Sequence, residues 1–217
     1  MCGRANFANI PWGKFKVEAP EGFVDGRFNV APTEIIPMVR RAAHGPGRKA
    51  LCATWGLPAI RRRDGTLSRP LFNARGETVA RLPAFREAFK SRRCLVPASG
   101  YFEWRTTDKQ PFYFVRADGD PLAFAGIFEE LSDGLLAVCV ITTEANRRCG
   151  AIHDRMPAVL APEDWERWLT PDALTEADRR EMLQPTADNV VDFWPVSRAV
   201  GNVRNNGAEL ILRSEAG

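Results

Sequence analysis

The chain has 217 residues, 45% hydrophobic and 26% charged, with 17 Gly and 16 Pro. This is ordinary globular composition, which excludes wholesale disorder, collagen-like structure and coiled coil. Thirty Lys and Arg against 27 Asp and Glu leave +3, so net charge alone names no partner.

In chain order, the opening Met1-Cys2-Gly3-Arg4-Ala5-Asn6 carries charge with no apolar run behind it, and reads as no secretory signal. No apolar run is long enough to span a bilayer. Pro11, Pro20, Pro32, Pro37, Pro46 and Pro58 punctuate the first third too often for long helices, so loops and short strands are expected there. Lys49 to Trp55 reads as a strand closing in the turn Gly56-Leu57-Pro58. Pro83 to Ser91 sets Phe85 and Phe89 four apart behind a proline, which predicts a short amphipathic helix. Strand-like runs follow at Cys94–Pro97, Tyr101–Arg105, Pro111–Arg116, Leu122–Phe128 and Leu135–Thr142, and the turn formers between them predict an antiparallel meander. Met156 to Leu160 is a short apolar run, and Pro162–Leu169 and Asp172–Leu183 read as two helices. The tail combines a strand-like Val190–Val196 with a Gly/Asn-rich segment and Ala208–Leu212. With no repeat, low-complexity segment or linker, the expected fold is one α+β domain over residues 1–217, with a β-rich, barrel-like antiparallel centre flanked by short helices.

Charge is unevenly distributed. Between Ile35 and Arg63 the only charged residues are basic: Arg40, Arg41, Arg48, Lys49, Arg61, Arg62 and Arg63. From Glu163 to Asp192 acids dominate. A chain with an almost balanced total can thus present a basic face and an acidic face. Basic residues continue through Arg69, Arg75, Arg81, Arg86, Lys90, Arg92 and Arg93, interleaved with Trp55, Phe72, Phe85 and Phe89. This mixture suits a nucleic-acid groove, where cations meet phosphates and rings stack on bases, and equally an Arg-rich solvated surface.

Five cysteines with no C-x-x-C pair make neither a disulfide scaffold nor a zinc ribbon, and no metal or other cofactor is expected. Cys2 is the most informative residue. If Met1 is removed, Cys2 carries a free α-amine, with a reference pKa near ~8, beside a thiol near ~8.5. An aldehyde can condense with the amine, and the thiol can then close a five-membered thiazolidine. The alternative is a cysteine in a frayed terminus. Cys52, Cys94, Cys139 and Cys149 are assigned to packing or surface.

Histidine is scarce: His44 lies in a glycine-rich loop, and His153 in Ile152-His153-Asp154-Arg155-Met156-Pro157. His153 can act as an acid or base, or as a buried structural residue. Glu103, between Phe102 and Trp104, alternates away from its neighbours' face. If it points into an apolar cleft its pKa rises, making it a proton shuttle; otherwise it is an exposed strand residue. Asn73 can hydrogen-bond a ligand or cap a turn. Arg4, Arg75 and Arg155 can hold phosphates or form surface ion pairs.

The opening Met-Cys-Gly-Arg, Phe28-Asn29-Val30-Ala31-Pro32-Thr33, Trp55-Gly56-Leu57, Phe72 to Thr78, Cys94 to Trp104, Ile152 to Pro157 and Pro195 to Asn202 stand in the order of the SRAP family, the SOS-response-associated peptidases, and the chain resembles that family over nearly its whole length. The resemblance implies a single β-rich domain with a basic groove for single-stranded DNA. It also implies a covalent thiazolidine between Cys2 and the ring-opened aldehyde of an abasic site, within the DNA damage response. In that reading Asn73 bonds at the lesion, Glu103 shuttles the proton of Schiff-base formation and His153 assists ring opening. Arg4, Asn29, Arg75 and Arg155 contact DNA. The family is also credited with lyase-type and peptidase activity, including removal of Met1. A monomer without membrane or metal, in the cytoplasm at the nucleoid, is implied. One departure stands out: aromatics that stack on bases often follow Trp-Gly in the family, where this chain has Pro58-Ala59-Ile60-Arg61-Arg62-Arg63. The alternative reading is a thiol peptidase or amidohydrolase, with Cys2 as nucleophile and His153 as base.

Overall fold

In a computed structural model, residues 2–59, 65–171 and 174–214 are described. They form β1 (Ala5–Asn6), β2 (Ile35–Arg41), β3 (Arg48–Trp55), β4 (Asn73–Arg75), α1 (Arg86–Ser91), β5 (Arg93–Ala98), β6 (Gly100–Trp104), β7 (Pro111–Arg116), β8 (Leu122–Glu130), β9 (Leu136–Glu144), β10 (Arg155–Pro157), α2 (Trp165–Leu169), α3 (Glu176–Met182) and β11 (Val191–Pro195). Strands β9, β3, β2, β5 and β8 pair in succession, and β8 pairs back to β9, closing a barrel. A second sheet, ordered β1-β6-β7-β11, lies beside it.

The apolar alternation of the central strands explains the core. Tyr101 pairs with Phe114 in register, and the two rings stack with centroids 4.6 Å apart, facing the barrel. Phe102 and Tyr113, one residue on, face the opposite side with Val196, Val200 and Leu210. Helix α2 closes the barrel: Trp168 is fully buried and its indole N–H donates to the Cys94 carbonyl at 2.8 Å, while Trp165 stacks on Phe15 at 4.8 Å. Such pairs contribute about 0.5–1.5 kcal/mol beyond area burial. Two glycines are required by position. Gly56 leaves β3 at φ +136°, a conformation L side chains avoid. At Gly100 an added Cβ would run into the Tyr113 ring.

The expected β-rich, barrel-like α+β fold is the one observed. Three expectations change. The central strands are no simple meander, because the β6–β7 hairpin leaves the barrel for the second sheet and β3 and β4 pair with β9 in parallel. In the proline-punctuated first third, Pro37 sits inside the seven-residue barrel strand β2. It is tolerated because pairing of β2 with β5 is registered only at Val39–Leu95, so little ladder is lost for want of an N–H. Third, the basic and acidic segments are in contact: Arg41 and Arg48 both meet Glu166, at 3.8 and 3.4 Å. Helix Asp172–Leu183 is seen as α3 from Glu176 on, with a Thr175 capping box; Asp172 lies outside the described residues, as do Ile60 to Arg63 of the departure after Gly56.

Candidate functional site at the edge of two sheets

The site forms where β6 of the second sheet meets β4, the end of β9 and β10. Strand β1 sits on β6 in the register Ala5–Tyr101 and Asn6–Gly100, and the Phe102 N–H donates to the Arg4 carbonyl at 2.9 Å. Continuing that antiparallel register brings the Cys2–Gly3 stretch alongside Glu103. From the other sheet, Asn73 donates its Nδ2 to the Cys2 carbonyl at 2.7 Å. The parallel pairing of Asn73 with Val140 fixes this reach across the two sheets.

Cys2 is fully buried. Burial pushes its thiol well above the ordinary value, and the nearby Glu103 carboxylate adds to the rise. Glu103 shares a sheet face with Tyr101, Phe112 and Phe114 and is 7% exposed, which removes the exposed-strand alternative. Burial raises its pKa. A carboxyl whose pKa is raised by burial is suited to take and return a proton. The Asn73 Oδ1 is buried and has no hydrogen-bond partner among the described residues.

His153 is positioned by the 3-10 turn Cys149–Ala151: its N–H donates to the Cys149 carbonyl at 3.1 Å, and the Thr106 N–H ties Ile152 to the end of the β6–β7 hairpin. The Arg155 main-chain N–H donates to His153 Nδ1 at 3.0 Å. Asp154 lies 2.9 Å from the same nitrogen and would favour a proton there. The backbone donor is fixed by the β10–β9 ladder, whereas the Asp154 side chain is 86% exposed and screened. The neutral ring therefore accepts at Nδ1 and keeps its hydrogen on Nε2.

The four residues expected to touch DNA fare differently. Arg75 is exposed, and its side chain makes no hydrogen bond or ion pair among the described residues, its carbonyl accepting from Thr78 and Val79. Arg155 is held by Glu77 through two bonds, at 2.6 and 3.1 Å, and by the Thr142 carbonyl at 2.8 Å. Arg4 is half-buried: it donates to Asn29 Oδ1 at 2.9 Å and to the Val200 carbonyl at 2.8 Å, and stacks on Trp104. Burial lowers its pKa, against a raising effect of Glu34. Asn29 is 3% exposed, and its Nδ2 donates to the Val200, Asn202 and Asn205 carbonyls at 3.2, 3.1 and 2.9 Å. In this structure Arg4 and Asn29 clamp the chain's start to the loop after residue 200. The structure thus gathers Cys2, Asn73, Glu103 and His153, with Arg75 exposed at their rim. No separate sequence signal marks Glu77 or Thr142, since both act only through the folded position of Arg155.

Cys94, Cys139 and Cys149 are buried and Cys52 half-buried, all as free thiols. Among the described residues no helix is long and apolar enough to cross a membrane.

The profile of the family "SOS response associated peptidase (SRAP)" matches residues 1–203. The abasic site processing protein YedK of Escherichia coli is 35% identical over 86% of this chain and 84% of its own length. The abasic site processing protein YoqW of Bacillus subtilis is 31% identical over 97% of this chain and 99% of its own. A crystal structure of a protein from Bacteroides thetaiotaomicron superposes with a TM-score of 0.83 over 99% of this chain and 100% of that one, at 23% identity. At that identity it shows the fold alone.

Proposed function

The chain belongs to the SOS response associated peptidase family, and from that premise we propose that it captures abasic sites in single-stranded DNA covalently, through Cys2. The relatives' names supply the lesion. One observation carries the chemistry: Cys2 is held, fully buried, between Asn73 and Glu103, where a chain end would ordinarily fray.

Once Met1 is removed, the Cys2 α-amine attacks the C1 aldehyde of the ring-opened deoxyribose. The carbonyl oxygen leaves as water, and a C=N bond remains. The Cys2 thiol then adds across it: an S–C bond forms at C1, the thiol proton ends on nitrogen, and the five-membered ring closes. Protein and DNA are joined with loss of one water. Glu103 moves these protons, because its buried carboxyl lies beside Cys2 and has a raised pKa. His153, with hydrogen on Nε2, assists opening of the deoxyribose ring. Asn73 Oδ1 is free to accept from the amine or the sugar. Arg75 meets a flanking phosphate, and residues 1–217 act as one domain.

A thiol peptidase needs a thiolate near neutral pH, and burial and Glu103 both push the Cys2 thiol the other way. In lesion capture the thiol proton stays in the product, and Glu103 beside Cys2 can carry it from sulfur to the ring nitrogen as the S–C bond forms. Intact mass after incubation with a single-stranded oligonucleotide bearing one abasic site is the test. The expected adduct equals protein without Met1 plus DNA minus water, and Cys2→Ala abolishes it. A processed protein that binds this DNA without forming the adduct would overturn the proposal.

A further inference from the structure

A second concentration of charge lies at the far end of the barrel, away from Cys2. Register locates it. Val39–Leu95 continues to Arg41–Arg93, Arg93 pairs with Ile127, and the Phe128 N–H donates to the Arg92 carbonyl at 2.9 Å. Phe128 in turn pairs with Val138, four residues before Thr142, where β4 and β10 reach the Cys2 site. That separation is about 13 Å along β9 alone.

These strand ends surround a cleft of about 390 Å³ lined by Arg40, Arg41, Arg92, Arg93, Phe128 and Glu130, among others. Three of its arginines are committed. Arg93 donates to the carbonyls of Phe89, Lys90 and Trp168, at 2.7, 2.8 and 2.7 Å. Arg92 bonds Glu129 at 2.8 Å, and Arg41 bonds Thr170 at 3.2 Å and reaches Glu166 at 3.8 Å. Arg40 differs. Its guanidinium lies over the Phe128 ring, 5.4 Å from the centroid, and its Nε is shut off from solvent. No hydrogen bond or ion pair to it is found among the described residues. Arg40 lines the cleft with no acceptor for its side chain among the described residues, so its terminal nitrogens are the donors left for a ligand.

We propose that this cleft binds a phosphoryl group, with Arg40 as its principal donor and Arg41 and Arg92 completing the charge. The lining sets four arginines against Glu130, and with Glu129 on Arg92 and Glu166 on Arg41 counted as well the balance stays positive. Guanidinium forks match the oxygens of phosphate in paired hydrogen bonds. The cleft is large enough for a phosphate ester with its sugar. Two sources share this chemistry: a free nucleoside monophosphate, and the phosphodiester of a DNA strand continuing around the barrel. The inference stands independently of the chemistry at Cys2.

The full-length protein is titrated calorimetrically at low salt with dAMP and with deoxyadenosine. In parallel, its affinity for an undamaged single strand of roughly twenty nucleotides is measured by fluorescence anisotropy over a salt series. Arg40→Met keeps the packing on Phe128 and removes the donors; Arg40→Lys keeps the charge and removes the fork. If the ligand is a free ester, dAMP binds, deoxyadenosine does not, and Arg40→Met weakens dAMP by about tenfold or more with Arg40→Lys between. If the phosphate belongs to DNA, Arg40→Met weakens the oligonucleotide and reduces the log–log salt slope by about one, leaving dAMP unbound. Both arms unchanged in a variant that melts like the parent overturn the proposal, and Arg40→Lys decides in the same way should Arg40→Met not fold.

Discussion

Replacing Glu77 by Gln tests whether a carboxylate outside the reacting group sets the site's geometry. Glu77 binds Arg155 through two hydrogen bonds, and the Arg155 side chain is only 11% exposed. The main-chain N–H of the same arginine orients His153. A charged hydrogen bond contributes about 1.5–3 kcal/mol when shielded. The Glu77 side chain is 44% exposed, so solvent screening brings the expected loss to about 1–2 kcal/mol. For a chain of this length that lowers Tm by about 2–8 °C. A double-mutant cycle with Arg155→Met should return a coupling near ~1 kcal/mol. The pH dependence carries a sign. Burial pushes the Glu77 carboxyl up, but the hydrogen bond and charge of Arg155, with Arg75 behind it, outweigh this and hold its pKa below the ordinary value of 4.5. The stabilisation is therefore present above that value and disappears as pH falls below it, so parent and variant converge in acid. Urea melts across this range and the rate of adduct formation are the measurements, the rate falling about threefold to tenfold through a looser His153. A coupling under ~0.3 kcal/mol, or a stability gap unchanged in acid, refutes the reasoning.

Asn73→Leu leaves the Cys2 carbonyl without its donor, and is expected to cost about 1–3 kcal/mol in chemical denaturation and to slow adduct formation by at least about tenfold; a normal rate in the folded variant would show that the tether is dispensable. Glu103→Gln should cut the adduct rate about a hundredfold or more. Because the Glu103 pKa is raised by burial, its contribution to stability is fully present below the ordinary 4.5 and is lost as pH rises through the folded value, so the Gln variant gains on the parent towards neutral pH. Asn29→Ala should destabilise by about 2–4 kcal/mol, since three carbonyls and Arg4 lose a partner, while DNA affinity of the folded fraction holds. Weaker DNA binding at unchanged Tm would instead make Asn29 a direct contact. Gly100→Ala should cost about 1–3 kcal/mol by driving a methyl into the Tyr113 ring, read as a lower urea midpoint.

Local pattern carried much of the fold. The run Pro111–Arg116 is β7 residue for residue, and the Phe85/Phe89 spacing marks the buried side of α1. Parallel pairing of β3 and β4 with β9 left no local trace, because register between distant strands is settled by which faces bury together. For the same reason the acidic segment's docking on Arg41 and Arg48 was invisible: charge runs show composition, not partners. In the site, Glu103 was legible from alternation alone once its face was known to be the buried one. Arg155 shows the limit. Its residue type suits phosphate, yet folding brings Glu77 to it from 78 positions away, and only the tertiary structure says which partner it takes.

The position of Cys2 answers a physical difficulty. A chain end is the most mobile part of most domains, and ordering each residue costs about 1–2 kcal/mol of backbone entropy. Strand β1 is only two residues long, too short to hold the terminus by pairing alone. Three contacts from separate parts of the fold complete the job: the Arg4 carbonyl accepts from Phe102 in one sheet, the Cys2 carbonyl accepts from Asn73 in the other, and the Arg4 side chain locks onto Asn29 and Val200. At about 0.5–1.5 kcal/mol net for each neutral bond and more for the charged one, they are of the size needed to offset ordering of residues 2–4. On the proposed reading, the Cys2 thiol and the Glu103 carboxyl are thereby fixed before a lesion arrives, so the ordering cost falls on folding and not on capture. A site built this way depends on both sheets at once, and loosening either Asn73 or Arg4 should slow adduct formation even though neither residue exchanges a proton.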